Sequence, residues 1–217
     1  MKHDDARAPG PLSERPSVSA SASVTSSPPH APQIGDAHLI ETRISSEQVF
    51  DGKLLKIFRD MARLPDGSES VREYTVHPGA VMVIPELPDG RLIVERQFRY
   101  PLQRVLIEFP AGKLDPGEDP LVCAQRELEE ETGYVAAHME YLTTIHPVIS
   151  YSTEAIRLYR AWGLTSGTQR LDDNEFLEVL PMSLDDIMKR IWSGEITDVK
   201  TIIGAFWLFA RALQPKE

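Results

Sequence analysis

The stretch that most limits what this chain can become runs from Gly112 to Tyr134, GKLDPGEDPLVCAQRELEEETGY. It opens as a Gly/Pro loop. Asp119 is suited to cap a helix, Pro120 to open it, and Gly133 to stop it, which predicts a helix over 120–132. Leu121, Ala124 and Leu128 stand three and four residues apart, an apolar stripe for a core. Glu127, Glu130 and Glu131 share another face of the same helix, because residues at those spacings are neighbours. Like charges one turn apart repel. A solvated charged face is the plain reading of such a run. The chemical reading is a cation held between the carboxylates. Mg²⁺ suits that role as a hard ion that takes oxygen ligands, keeps several waters and binds phosphates. The loop at 112–118 can bring backbone and Glu118 to the same place, and Arg126 can pair with a nearby acid to hold the loop.

The pattern extends beyond the charge run. It reads Gly112, five residues, Glu118, seven residues, then Arg126-Glu127-Leu128-Glu129-Glu130-Glu131-Thr132-Gly133-Tyr134. This resembles the signature of the Nudix hydrolases, G-x5-E-x7-R-E-U-x-E-E-x-G-U, with Leu128 and Tyr134 at the bulky apolar places. A chance match in a chain of average composition is on the order of one in ten million, so the solvated-face reading loses. The resemblance implies an α+β fold, the Nudix-type α/β/α sandwich with a mixed sheet, and an enzyme that cleaves a diphosphate with Mg²⁺ or Mn²⁺.

The rest of the chain fits that outline. Short apolar stretches at 38–45, 53–64, 70–76, 79–87 and 91–98 read as strands, with FDG, PDG and LPDG as turns between them. Further strands are expected at 138–149, 155–163 and in FLEVLPM, then helices at 183–193, capped by Ser183, and 198–213. Residues 1–35 contain no Phe, Trp or Tyr and are dense in Ser, Pro and Ala, so they are expected to form a disordered tail. Residues 36–76 are expected to form an N-terminal β region and 77–217 the catalytic domain.

By position, the resemblance implies that Glu127, Glu130 and Glu131 bind metal, together with the backbone carbonyl of Ala111. Gly112, Glu118, Arg126 and Gly133 would be the scaffold of the motif. The proton acceptor in such enzymes is either a motif acid, here Glu130, or an acid of a mobile loop after the central strands. That loop is LDDNE at 171–175, with Asp173 matching better by position and Glu175 having the longer reach. HPGAV, VERQFRYP and EFPAGKLDPGE look like the ADP-ribose pyrophosphatase and nucleotide-sugar group. Arg99, Arg72 and Glu154 are then substrate-binding candidates. One departure is that Ile149 stands where ADP-ribose enzymes tend to carry Pro, with Pro147 nearby. This leaves another sugar, such as GDP-mannose, open. The group usually dimerises through swapped N-terminal strands, and 37–76 would supply them.

Composition narrows the partners. The net charge is −10, a poor basis for binding nucleic acid or an anionic membrane. No stretch approaches a membrane span, and no apolar run marks a secretory leader. Cys123 is the one cysteine, so no internal disulfide forms and a cytoplasmic location is expected; the residue reads as a small apolar helix position. The expected substrate is a small nucleoside diphosphate sugar. Dinucleoside polyphosphates, coenzyme A or capped RNA are other Nudix substrates, and a ligand-sensing regulator without catalysis is the reading from a different class. The intact acids and the lack of a DNA-binding segment in the tail speak against the regulator.

Overall fold

The structure, a computed structural model, describes residues 35–213. The tail expected over 1–35 lies outside the described residues, apart from Gly35. After a 3-10 turn come strands β1 (Thr42–Asp51), β2 (Lys56–Arg63), β3 (Glu69–Val76), β4 (Ala80–Pro85), β5 (Leu92–Arg99), β6 (Arg104–Glu108) and β7 (Ala111–Lys113). Helix α1 (Pro120–Thr132) follows, then β8 (Tyr134–Ile145), β9 (Ile156–Ser166), β10 (Leu177–Met182), α2 (Leu184–Trp192) and α3 (Val199–Ala212).

Three sheets form. The central one has the order β7-β4-β9-β8 and is mixed, because β4 and β9 run parallel while the outer pairs are antiparallel. Every residue of β4 is buried, as its unbroken apolar run requires when both faces are covered. Val81 and Val83 face one way, onto Cys123, Ala124 and Leu128 of α1. Met82 and Ile84 face the other way, into a larger core with Val94, Ile107, Phe109, Ile187 and Ala205. That second layer holds the sheet β10-β5-β6 with α2 and α3, so the α+β, α/β/α arrangement expected from the motif is the one present. Gly204 lets α3 approach closely, since a Cβ there would stand 2.8 Å from the Met82 methyl. The third sheet, β1-β2-β3, is separate.

Several boundaries differ from expectation. Leu121 is not part of the core stripe: it sits in the first turn of α1 at 40% exposure, and Cys123 occupies the buried face instead. The first strand starts at Thr42 rather than 38, because 36–39 close a 3-10 turn. β8 starts directly after Gly133 and ends before Pro147. Ala136 and Ala137 hid that start, since alanine carries little strand preference, but register with β9 from Tyr134↔Ser166 to Ile145↔Ile156 holds them in the sheet.

Candidate active site

The scaffold of the site is the turn from β7 into α1. Asp119 accepts hydrogen bonds from the N–H of Leu121 (2.8 Å) and Val122 (3.3 Å), which fixes where the helix begins. Gly133 ends it with φ 72, in the left-handed region that glycine tolerates. Arg126 braces loop to helix. Its Nε and Nη2 each donate to the Glu118 carboxylate at 2.9 Å, and Nη1 donates to Glu127 (2.8 Å) and Glu130 (3.1 Å). Glu118 also accepts from the Asp115 N–H at 3.0 Å. The Arg126 fork comes first among the causes that hold the Glu118 carboxyl down at about 2.

Gly112 has a specific steric role. A Cβ on it would stand 1.8 Å from the carboxyl carbon of Glu127. The first glycine of the motif therefore leaves room for the first acid of the helix. Glu131 is 4% exposed, and one of its oxygens accepts the Ala111 N–H at 2.9 Å. Burial, and then the charges of Glu95, Glu127 and Glu175, push its pKa well above the carboxylate range.

These residues line one cleft. Glu127, Glu130 and Glu131 come from α1; Ala111, Gly112 and Lys113 from β7; Gln97 and Arg99 from β5. Asp172 and Glu175 reach it from the loop before β10, and His77 and Glu154 also line it. The loop is a tight turn in which the Glu175 N–H donates to the Asp172 carbonyl at 3.0 Å and Asn174 adopts φ 69. The turn brings Glu175 to the cleft, where it accepts from Gln97 Nε2 at 3.2 Å. Asp173 is exposed at the turn and does not line the cleft, unlike Asp172 and Glu175. Arg72 also stands outside the cleft, in β3, where Nε and Nη2 donate to Glu41 at 2.8 and 2.6 Å and Nη1 to Ser70 Oγ and the Val71 carbonyl at 2.9 and 3.0 Å.

Arg99 lines the cleft on a fixed mount. Its Nε and Nη2 donate to the buried Glu108 at 2.6 and 2.9 Å, leaving Nη1 without a partner among the described residues. Lys200, from the first turn of α3, also binds Glu108. Burial works to raise the Glu108 pKa, but these two cations outweigh it and hold the group below its usual value. Glu95, directly opposite Glu108 across β5 and β6, makes no bond to either cation, and their charges offset its burial only in part. It is fully buried, and neither carboxylate oxygen has a hydrogen-bond partner among the described residues. Burial first, then Glu108, raises it to about 8. Glu95, Glu108, Lys200, His77 and Lys113 were not singled out from the sequence. The signal for Glu95 was there: a carboxylate as the fourth residue of a run buried from Leu92 onward is a buried charge.

The carboxylate cluster suits a hard divalent cation by its chemistry: oxygen donors only, with the buried Glu131 repelled by Glu127 and paired with no cationic side chain among the described residues. Among the described residues no three acidic, His or Cys side chains stand close enough to hold an ion as they are. Arg126 engages Glu127 and Glu130, so a cation would compete with that guanidinium.

An α/β/α sandwich carrying carboxylates on a glycine-led helix beside an arginine defines a class of proteins with a site for polyanions. A family model described as "NUDIX domain" matches residues 76–199, more than half of the chain, and the chain belongs to that family. It is 38% identical over 182 residues to an ADP-ribose pyrophosphatase of Bacillus subtilis (strain 168), covering 82% of this chain and 98% of that one. It is 41% identical over 170 residues to a methanol dehydrogenase activator of Bacillus methanolicus, covering 77% and 92%. A solved structure titled "Crystal structure of ADP compounds hydrolase" superposes with a TM-score of 0.71 at 24% identity, covering 78% of this chain and 92% of that one, which shows a shared fold.

Proposed function

We propose that this protein hydrolyses the diphosphate of ADP-ribose or a related nucleoside diphosphate sugar, giving a nucleoside monophosphate and a sugar phosphate. The observation that carries the reading is the single cleft in which three helix acids, Glu175 and the Glu108-mounted Arg99 meet. The name of the Bacillus subtilis relative, aligned over 98% of its length, supplies the substrate class.

Glu127, Glu130, Glu131 and the Ala111 carbonyl would hold Mg²⁺, with Mn²⁺ as the substitute. When bound, the cation neutralises the diphosphate and lowers the pKa of a water at phosphorus. Arg99 presents its unpartnered Nη1 to a phosphate oxygen, with its plane fixed by Glu108. Glu175 takes the proton from the attacking water, Gln97 orienting its carboxylate. The water oxygen bonds to one phosphorus, the bond from that phosphorus to the bridging oxygen breaks, and the bridging oxygen leaves as part of the second monophosphate. Glu130, the least enclosed of the helix acids in the cleft at 38% side-chain exposure, is the other candidate base.

The chain is further proposed to act as a cytoplasmic homodimer through residues 36–76. All ten residues of β1 are exposed, and Phe50 and Val71 lie exposed on the face that also carries Ile57 and Met61. An apolar sheet face of this kind needs a cover. Arg72 would serve the partner's cleft, since it stands outside its own. No helix among the described residues is long and apolar enough to cross a membrane.

The test is a turnover panel of ADP-ribose, ADP-glucose, GDP-mannose, UDP-glucose and diadenosine polyphosphates with Mg²⁺. Preference for one of the nucleotide sugars is expected. A preference for diadenosine polyphosphates would redirect the reading to another substrate, and inertness toward all of them would favour a sensor.

A further inference from the structure

The fork of Arg99 on Glu108 leaves one freedom open. Nε donates to Glu108 Oε1 and Nη2 to Oε2, at 2.6 and 2.9 Å. Those two bonds fix the guanidinium plane relative to the carboxylate, but not where the carboxylate itself points. The arm is also a long one. In the β5–β6 ladder Arg99 pairs with Arg104, while Glu108 pairs with Glu95. Arg99 therefore lies back along the sheet to reach its acceptor, and the direction of its tip depends on Glu108.

A third bond comes from another layer. Lys200 Nζ donates to Glu108 Oε2, the oxygen that Arg99 Nη2 also holds. The lysine side chain is only 11% exposed although it lines the cleft. It is held in turn by Asp198 Oδ1 at 3.1 Å. Asp198 caps α3, its other oxygen accepting the Thr201 N–H at 2.9 Å. Thr201 is fully buried, and its Oγ1 accepts the N–H of Phe109, the residue after Glu108, at 2.9 Å. The first turn of α3 thus grips the end of β6 twice, at the Glu108 side chain and at the Phe109 backbone. A buried ion pair adds little net stability once the lost hydration of both charges is counted, so stability alone does not account for this lysine.

We propose that Lys200 is a positioning residue for diphosphate cleavage: by pinning Glu108 from α3, it sets the direction in which Arg99 presents Nη1 to a phosphate oxygen. Lys200 itself does not touch the ligand. Its effect passes through Glu108 to Arg99, so it disappears when Arg99 is removed. This inference rests on the reading of a nucleoside diphosphate sugar as substrate.

The experiment is a double-mutant cycle on the full-length protein: wild type, Lys200→Met, Arg99→Gln and the double variant. The substrate is the diphosphate sugar that the wild type turns over fastest with Mg²⁺. Lys200→Met keeps the length of the apolar stem and removes the charge. It is expected to lower kcat/KM about tenfold when Arg99 is present, and less than about twofold in the Arg99→Gln background. A role in folding alone, or a direct contact of Lys200 with substrate, would lower kcat/KM by the same factor in both backgrounds. That result overturns positioning through Arg99, and so does an unchanged kcat/KM in Lys200→Met. Should Lys200→Met fail to fold, Asp198→Asn decides. It keeps a side-chain oxygen to cap α3 and removes the charge that holds Lys200. It is expected to lower kcat/KM about threefold when Arg99 is present and to leave it unchanged in the Arg99→Gln background. A fall that is absent, or equal in the two backgrounds, overturns the role. A wild type inert toward every diphosphate sugar overturns the substrate reading and the positioning role with it.

Discussion

Gly112 owes its place to a carboxylate, and Glu95 its oddity to the lack of a partner. A methyl group on Gly112 would overlap the Glu127 carboxyl, 1.8 Å away, so Gly112→Ala must displace that acid. Misplacing a reactive group by about 1 Å costs about 100-fold in rate, and overpacking costs about 1–3 kcal/mol. Gly112→Ala is expected to lose at least that much turnover and to melt several degrees lower; kinetics and calorimetry on one preparation check both, and full activity would contradict the steric account. Glu95 gives a pH prediction. Its folded pKa is about 8, above the unfolded value, so from roughly pH 4.3 upward the unfolded chain releases a proton that the folded one keeps. Stability therefore falls as pH rises from there to about 8, and levels off above. Glu95→Gln should flatten part of this fall in urea unfolding from pH 5 to 9 in chelator. Glu131 is shifted in the same direction, so some slope remains. Parallel profiles for variant and wild type would show that Glu95 is not the source. The motif residues were legible because spacing alone places them on one helix face. Glu95, Glu108 and Lys200 were not, because their meeting depends on β5–β6 register and on the docking of α3.

Among the elements, the turn before β10 separates two acids that the sequence left equal. Asn174, at φ 69, lets the chain reverse so that Glu175 lines the cleft while Asp173 stays outside. General base catalysis contributes about 100- to 10,000-fold. Glu175→Gln is expected to lose turnover in that range with substrate affinity retained, and Asp173→Asn to stay within about threefold of wild type. Single-turnover rates across pH decide; a large loss in Asp173→Asn alone would reverse the assignment, and near-normal rates in both would move the base to Glu130. Helix boundaries were readable where a cap was spelled out, as at Asp119 and Ser183, each of which accepts a backbone N–H of its helix. The strand boundary at Tyr134 was not, because its first residues owe their conformation to β9 across the sheet rather than to their own preference. Arg72, a substrate candidate by resemblance, is paired with Glu41 within its own chain.

At the scale of the molecule, an uncovered apolar sheet face stands beside the acidic cleft. The exposed apolar residues of β1–β3 predict a dimer of about twice 24.3 kDa by light scattering on dilute protein. Phe50→Asp with Val71→Asp should shift the mass toward the monomer, and a fully active monomeric wild type would contradict the dimer. Leu54, at the tip between β1 and β2, lines the cleft of its own chain, so the third sheet is tied to the site even within one protomer. The net charge of −10 makes a local cation necessary for an anionic substrate, which couples the fold's charge to its chemistry. The layer arrangement was readable from the motif and the buried β4 run, and the strand runs within 36–76 were readable as an N-terminal β region; how those strands pair was not, since no single strand records its partners. The most direct test of the central claim is product analysis by mass spectrometry, with ADP-ribose and the preferred diphosphate sugar of the panel each incubated in Mg²⁺ and in excess chelator. The account predicts equal amounts of nucleoside monophosphate and sugar phosphate with Mg²⁺, and neither product with chelator. Unchanged turnover in chelator, or cleavage anywhere other than between the two phosphates, would contradict it.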